Sequence, residues 1–294
     1  FDEIVKKEKF DYILVQGDTT SVLTGALVGF YNQVPVGHIE AGLRTGNIYS
    51  PFPEEANRKL VGTIADIHFA PTDINVNNLL RENYPKEKIL KCGNTVIDAL
   101  YWVKKNKSSD IEKIKEKYNL LGKKYILITM HRRENWGQPM EETLTAVKDY
   151  LKEYEDLYLV FPMHLNPLVR NIVHKVLDDF DRKILLEPLE YLEFIAVMDG
   201  AHYIMTDSGG VQEEAPSLGK PTLVLRDTTE RPEAIEAGTA KLVGTNYEDV
   251  TRYMKLLEGE LYHQMAKANN PYGDGKTSER IRKYLIKDLR WNFI

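Results

Sequence analysis

Short apolar runs rich in Val, Ile, Leu and Tyr alternate with helix-length amphipathic stretches along almost the whole chain. That alternation is the pattern of βαβ units, in which helices cover both faces of a parallel sheet. The fold class is therefore α/β. In the first part of the chain the runs predict strands over residues 12–17, 34–39, 67–70 and 89–92, with helices over 21–31, 54–64 and 73–83 between them. A strong apolar run at 125–130 begins a second series, with further strands at 157–162, 183–187, 203–206, 222–225 and 241–243 and a last helical pattern over 278–289.

The stretch 104–124 is charged and poor in aromatics, so it separates the two series. The expected organisation is two Rossmann-like domains facing across a cleft. Residues 1–104 form the first, 105–123 a linker region and 124–294 the second, with the last helix packing back on the first domain. Residues 1–10 read as the end of an amphipathic helix that runs into a buried strand with no strand before it. The first domain is expected to lack its opening unit.

At 294 residues the chain is long enough for two domains that each bury a core. Lys and Arg number 39 against 44 acidic residues, a formal charge of −5 with both signs scattered. This balance speaks against a nucleic-acid or membrane-surface protein, and an anionic ligand must be held by local donors. The single Cys92 excludes an internal disulfide and a thiol cluster for zinc or iron-sulfur, which fits a reducing, cytoplasmic setting. No apolar run approaches the length of a membrane span.

Residues 206–216, Thr-Asp-Ser-Gly-Gly-Val-Gln-Glu-Glu-Ala-Pro, follow a buried strand and open a helix. Free backbone N–H groups gather at such a point, and Gly209 and Gly210 let a phosphate approach the main chain. Ser208 adds a hydroxyl, and Glu214 one turn on is placed to accept hydrogen bonds from ribose hydroxyls. The competing reading is a tight turn with Ser208 as a simple N-cap. Arg231, beside Pro232 after the next strand, is a candidate partner for a diphosphate, because ligands of open α/β sheets sit outside the carboxyl ends of the strands. A surface helix-capping salt bridge is its alternative.

In the first series, Asp18 and Glu40 follow strand ends, and Glu54 opens a helix after Pro51-Phe52-Pro53. One carboxylate at a helix start is ordinary capping, but three converging on one crevice repel each other unless a site uses them. His131 and Arg133 follow the first strand of the second series, the histidine as an acid, a base or a charge stabiliser and the arginine as a phosphate or carboxylate partner. Signatures of dinucleotide, P-loop, zinc-hydrolase and nucleophile-elbow sites are absent.

GDTTS at Gly17, GHIEAGLRTG at Gly37, SPFPEEANR at Ser50, GNTVIDAL at Gly93, HRRE at His131, the Ser208 segment, DTTERPEA at Asp227 and NPYGDG at Asn270 occur in one order over nearly the whole chain. Together they resemble the non-hydrolysing UDP-N-acetylglucosamine 2-epimerases. The resemblance implies a two-domain, glycosyltransferase-B-like architecture with the nucleotide on the C-terminal domain. It implies acid/base work by Asp18, Glu40 and Glu54 with His131 beside them, and UDP contacts at Phe194, Ser208, Gly209, Gly210, Glu214 and Arg231. His164 is expected at a second, allosteric site.

The resemblance also implies an opening strand with a Gly-Thr-Arg-Pro-Glu turn, which this sequence does not hold, and a glutamine where Leu189 stands. The implied reaction is reversible epimerisation at C2 of UDP-N-acetylglucosamine by elimination and re-addition of UDP, without cofactor or metal, in a homodimer whose partners are UDP-N-acetylglucosamine and UDP. A glycosyltransferase of the same architecture, a hydrolysing epimerase and a non-catalytic nucleotide-sugar-binding protein are the alternatives.

Overall fold

The computed structural model describes residues 1–291, which divide into two units: residues 1–99 with the segment from Tyr272 onward, and Leu100–Pro271. In the first unit, four short strands, β1 (Ile13–Gln16), β2 (Val36–Ile39), β3 (Ile67–Ala70) and β4 (Ile89–Lys91), pair in parallel in that order. The register sets Gln16 opposite Ile39, so Asp18 and Glu40 emerge just beyond the carboxyl ends of adjacent strands. β3 is buried along its whole length. Its alternate residues Ile67 and Phe69 pack with Cys92 and Ile281, while His68 meets the Tyr84 ring at 4.7 Å between centroids.

The closing segment is tied into this unit by backbone. Asn94 N–H donates to the Tyr272 carbonyl at 2.6 Å, and the Asp98 carboxylate accepts from Thr277 and Ser278 N–H at 3.1 and 2.7 Å. Asp98 thereby caps the helix Thr277–Trp291 from a neighbouring helix. Gly93, at φ +91°, allows the approach, because a Cβ there would lie 2.6 Å from the Thr277 hydroxyl.

The expected division of the chain differs from this one. Residues 105–123 are not a linker: the helix Ser108–Lys117 buries Ile111 in the same core as Ile195 and Val197 of the helix Tyr191–Gly200. The Lys104 and Lys115 ammonium groups both pair with Asp199, at 3.0 and 2.9 Å. The charge that suggested a linker belongs to the outer face of a packed amphipathic helix.

The second unit holds six parallel strands, β5 (Lys124–Thr129), β6 (Leu157–Pro162), β7 (Lys183–Leu186), β8 (Tyr203–Thr206), β9 (Thr222–Val224) and β10 (Ala240–Leu242). Their order is β10-β9-β8-β5-β6-β7. Ile126 and Ile128 of β5 enter one core with Leu159, Phe161 and Met205, while Tyr125 and Leu127 enter another with Val160 and Ile204. Two covered faces explain why these strands are continuously apolar. The chain runs β5-β6-β7 to one side and resumes at β8 on the other, which opens a switch point between β5 and β8.

His38 and His68 are each 1 % exposed, and burial holds both down at about 4. The unfolded chain therefore binds more protons than the folded one between about pH 6.5 and 4, and stability present above that window is lost as pH falls through it. Each histidine contributes on the order of 1–3 kcal/mol to this loss. His68→Phe, which keeps a ring against Tyr84, is expected to flatten the fall in Tm between pH 6.5 and 4; an unchanged slope in thermal melts refutes it.

Candidate active site

The switch point of the second unit is a pocket. Its volume is about 310 Å³, at the low end of the range for small-molecule sites. Its walls come from the ends of β5, β6 and β8 and from the helix Tyr191–Gly200, and they include His131, His164, Phe194, Ser208, Gly210 and Glu214.

One buried carboxylate organises the rim. Asp207 is fully buried and accepts from the backbone N–H of His131 and Arg132 at 3.0 and 2.9 Å and from the Asn135 amide at 3.0 Å. The His131 Nδ1 lies 3.1 Å from its other oxygen. Burial alone raises a carboxyl, but the His131 hydrogen bond, backed by those of Arg132 and Asn135, outweighs it and holds Asp207 below its ordinary range. With Nδ1 engaged, the Nε2 edge of His131 is the one left for chemistry.

Next to it, Ser208 occupies the N-cap position of the helix Gly209–Glu214, but its hydroxyl makes no capping bond. A pure capping role for Ser208 is therefore not what the structure holds. A side chain at Gly209 would start 3.2 Å from the Glu230 carboxylate and 3.6 Å from the Arg231 guanidinium. At Gly210 it would meet only the Ser208 hydroxyl, at 3.9 Å, and would project into open space. Arg231 is buried at 7 % exposure and pairs through Nε with Glu213, so it is no surface capping bridge. Arg132 and Arg226 both bind Glu230, whose carboxyl they hold at about 2.

Glu214 forms the inner wall of the pocket. It is 6 % exposed, and desolvation raises its carboxyl to about 7 despite a hydrogen bond from the Tyr191 hydroxyl at 3.0 Å.

In the first unit, Gly17 and Glu40 both adopt left-handed backbone, at φ +82° and +65°. That conformation is unusual for a glutamate and carries local strain. It brings the Glu40 carboxylate to 3.7 Å from where a Gly17 side chain would begin. His38, neutral at physiological pH, donates from Nε2 to the Gly17 carbonyl at 2.8 Å and fixes this corner. Asp18 is held by Arg58, whose Nε and Nη2 reach Oδ2 at 2.9 and 2.8 Å. The same guanidinium binds Glu55, which also accepts from the N–H groups of Thr45 and Gly46.

Asp18 and Glu40 are thus neighbours. Glu54 sits half-buried one helical turn before Arg58 on the same helix face. His131, Phe194, Ser208, Gly210 and Glu214 line one pocket, with Gly209 and Arg231 directly behind it. His164, expected at a separate site, borders this same pocket, and its Nδ1 accepts from Asn166 N–H at 3.1 Å. Arg133 is exposed and outside the pocket lining, and the neighbouring Arg132 is the arginine held in place. Leu189 packs against the core beneath the helix Tyr191–Gly200. Sequence reasoning passed over Asp207, Arg58, His38 and Tyr191, which act by holding other groups. Among the described residues no cluster of three or more His, Cys, Asp or Glu side chains is placed to hold a metal ion.

A family model described as UDP-N-acetylglucosamine 2-epimerase matches residues 1–286. The UDP-N-acetylglucosamine 2-epimerase of Bacillus subtilis is 52 % identical over 97 % of this chain and 74 % of its own length. The chain belongs to the UDP-N-acetylglucosamine 2-epimerase family. Among solved structures, the S. aureus MnaA-UDP co-structure is similar at a TM-score of 0.90 and 50 % identity, over 98 % of this chain and 79 % of that one. The Neisseria meningitidis UDP-GlcNAc 2-epimerase bound to UDP-GlcNAc is similar at 0.89 and 46 %, over 97 % and 79 %.

Glu214 makes this epimerase-family pocket costly for the folded protein. Between its ordinary value of 4.5 and about 7, the folded state binds more protons than the unfolded one, so stability falls as pH rises through that window. Glu214→Gln keeps an acceptor for Tyr191 without the buried charge. The variant is expected to exceed the parent in stability by on the order of 1–3 kcal/mol at pH 8 and to match it near pH 4.5. Urea unfolding at the two pH values measures this, and equal stabilities at pH 8 contradict it.

Proposed function

We propose that this protein interconverts UDP-N-acetylglucosamine and UDP-N-acetylmannosamine, with the second unit holding the nucleotide and the first supplying the acid/base carboxylates. The observation that carries the reading is the pairing of Asp18 and Glu40 at adjacent strand ends, kept there by left-handed backbone at Gly17 and Glu40.

The C2 proton of the sugar is not adjacent to a carbonyl, so its direct removal faces a prohibitive carbanion. Breaking the bond from C1 to the UDP oxygen builds positive charge at C1 and acidifies C2. A carboxylate takes the C2 proton, the electron pair forms the C1–C2 double bond of 2-acetamidoglucal, and UDP departs as an anion. In the reverse sense a second acid delivers a proton to the opposite face of C2 while UDP adds back to C1. Inversion therefore calls for acid/base groups on both faces, which Asp18, Glu40 and Glu54 supply between them. Arg58 holds Oδ2 of Asp18, and among the described residues none donates to Oδ1, which supports an active role for that carboxylate.

Departing UDP must be stabilised and kept. Ser208 and Gly210 line the pocket and Gly209 and Arg231 adjoin them, which supports a diphosphate held by these donors, with Phe194 as an aromatic wall and Glu214 as acceptor for ribose hydroxyls. His131, oriented through Nδ1 by Asp207, stabilises negative charge on the leaving group. His164 on the same pocket is positioned to respond to a bound nucleotide, in keeping with a regulatory part for that residue. The reading extends to a homodimer and to a cytoplasmic setting, which the lone buried Cys92 suits.

With UDP-N-acetylglucosamine in D₂O, the product is expected to be UDP-N-acetylmannosamine with deuterium at C2, read by NMR and mass spectrometry. Product without solvent deuterium defeats the elimination route. Asp18→Asn is expected to lower turnover by about 10²-fold or more while UDP affinity stays unchanged. Full activity in that variant makes Asp18 structural.

A further inference from the structure

Glu214 is buried in the pocket wall, and the hydrogen bond it receives comes from outside that wall. The Tyr191 hydroxyl donates to its Oε1 at 3.0 Å, while among the described residues none donates to Oε2. Tyr191 opens the helix Tyr191–Gly200, three residues before Phe194, so one helical face presents both the aromatic wall and the hydroxyl that reaches Glu214. Tyr191 itself is 43 % exposed and does not line the pocket.

We propose that Tyr191 is a positioning residue that makes the pocket selective for ribonucleotides, by fixing the Glu214 carboxylate so that both its oxygens are presented to a vicinal ribose diol. This rests on the nucleotide reading given above. A cis-diol donates two hydrogen bonds at a fixed spacing, and a carboxylate matches that spacing only when its plane is held. A glutamate with three free torsions does not hold its plane unaided. The tether at Oε1 removes that freedom and leaves lone pairs on both oxygens toward the ligand. A ligand lacking one hydroxyl leaves a buried, charged acceptor unmatched, which is the situation that gives strong discrimination.

The test is calorimetric titration of the protein and of Tyr191→Phe with UDP and with 2′-deoxy-UDP. The substitution removes one oxygen atom and keeps the ring. The parent is expected to prefer UDP by about ten- to hundredfold, as for a hydrogen bond to a charged group. In the variant the preference is expected to fall to about threefold or less, with 2′-deoxy-UDP affinity within about twofold of the parent. In turnover, KM for UDP-N-acetylglucosamine is expected to rise with kcat nearly kept. A retained preference, or equal weakening of both nucleotides, overturns the proposal and leaves Tyr191 a structural residue. A parent that binds neither nucleotide overturns the nucleotide reading itself.

Discussion

Parallel pairing constrains everything else in this chain. A parallel strand returns to its neighbour only by crossing over the sheet, so every strand in a unit ends on the same side, and both faces must be covered by the crossing helices. The continuous apolar runs and the intervening amphipathic helices are one requirement expressed twice. The loops that carry chemistry follow from it as well. Asp18 and Glu40 leave β1 and β2, while His131 and Ser208 leave β5 and β8. In the second unit the reversal of strand order separates the crossovers beside β5, and the pocket forms there.

Such an edge is rich in unpaired backbone donors, and the second unit manages them with buried charge. Asp207 lies beneath the His131 loop and gathers its N–H groups together with the His131 ring, which fixes both the loop and the imidazole. Behind the glycines, Arg231 pairs with Glu213 and Glu230 joins Arg132 to Arg226. These three cations are paired within the protein, so on the proposed reading a diphosphate would be met by partly satisfied donors, not by bare positive charge.

The sequence disclosed the elements whose signal is periodic or local. Every strand expected from the apolar runs is present, with ends displaced by a residue or two, because strand boundaries depend on pairing rather than composition. His131, Ser208, Gly210 and Glu214 of the pocket lining were legible too, since a strand end followed by Ser-Gly-Gly or His-Arg-Arg is a short-range pattern, whereas Phe194 and His164 were named only through the resemblance. Residues that hold those residues were not. Asp207 reads as one more polar residue beside a glycine pair, and Tyr191 as the first residue of a helix; each acts on a partner 76 or 23 positions away. Residues 105–123 misled because charge on the outer face of a packed helix and charge on a linker look alike in composition.

The buried histidines of the first unit and Glu214 of the second titrate in opposite senses, and the reason is chemical. His38 and His68 are buried neutral, so acid works against them. The buried Glu214 carboxyl favours its protonated form, so base works against it. The histidines serve packing and the support of the Gly17 corner, and their neutrality has no cost at neutral pH. The glutamate serves no packing need that glutamine would not meet. On the proposed reading the carboxylate has a role that glutamine lacks, because with the Tyr191 hydroxyl at Oε1 both oxygens remain acceptors for ribose hydroxyls.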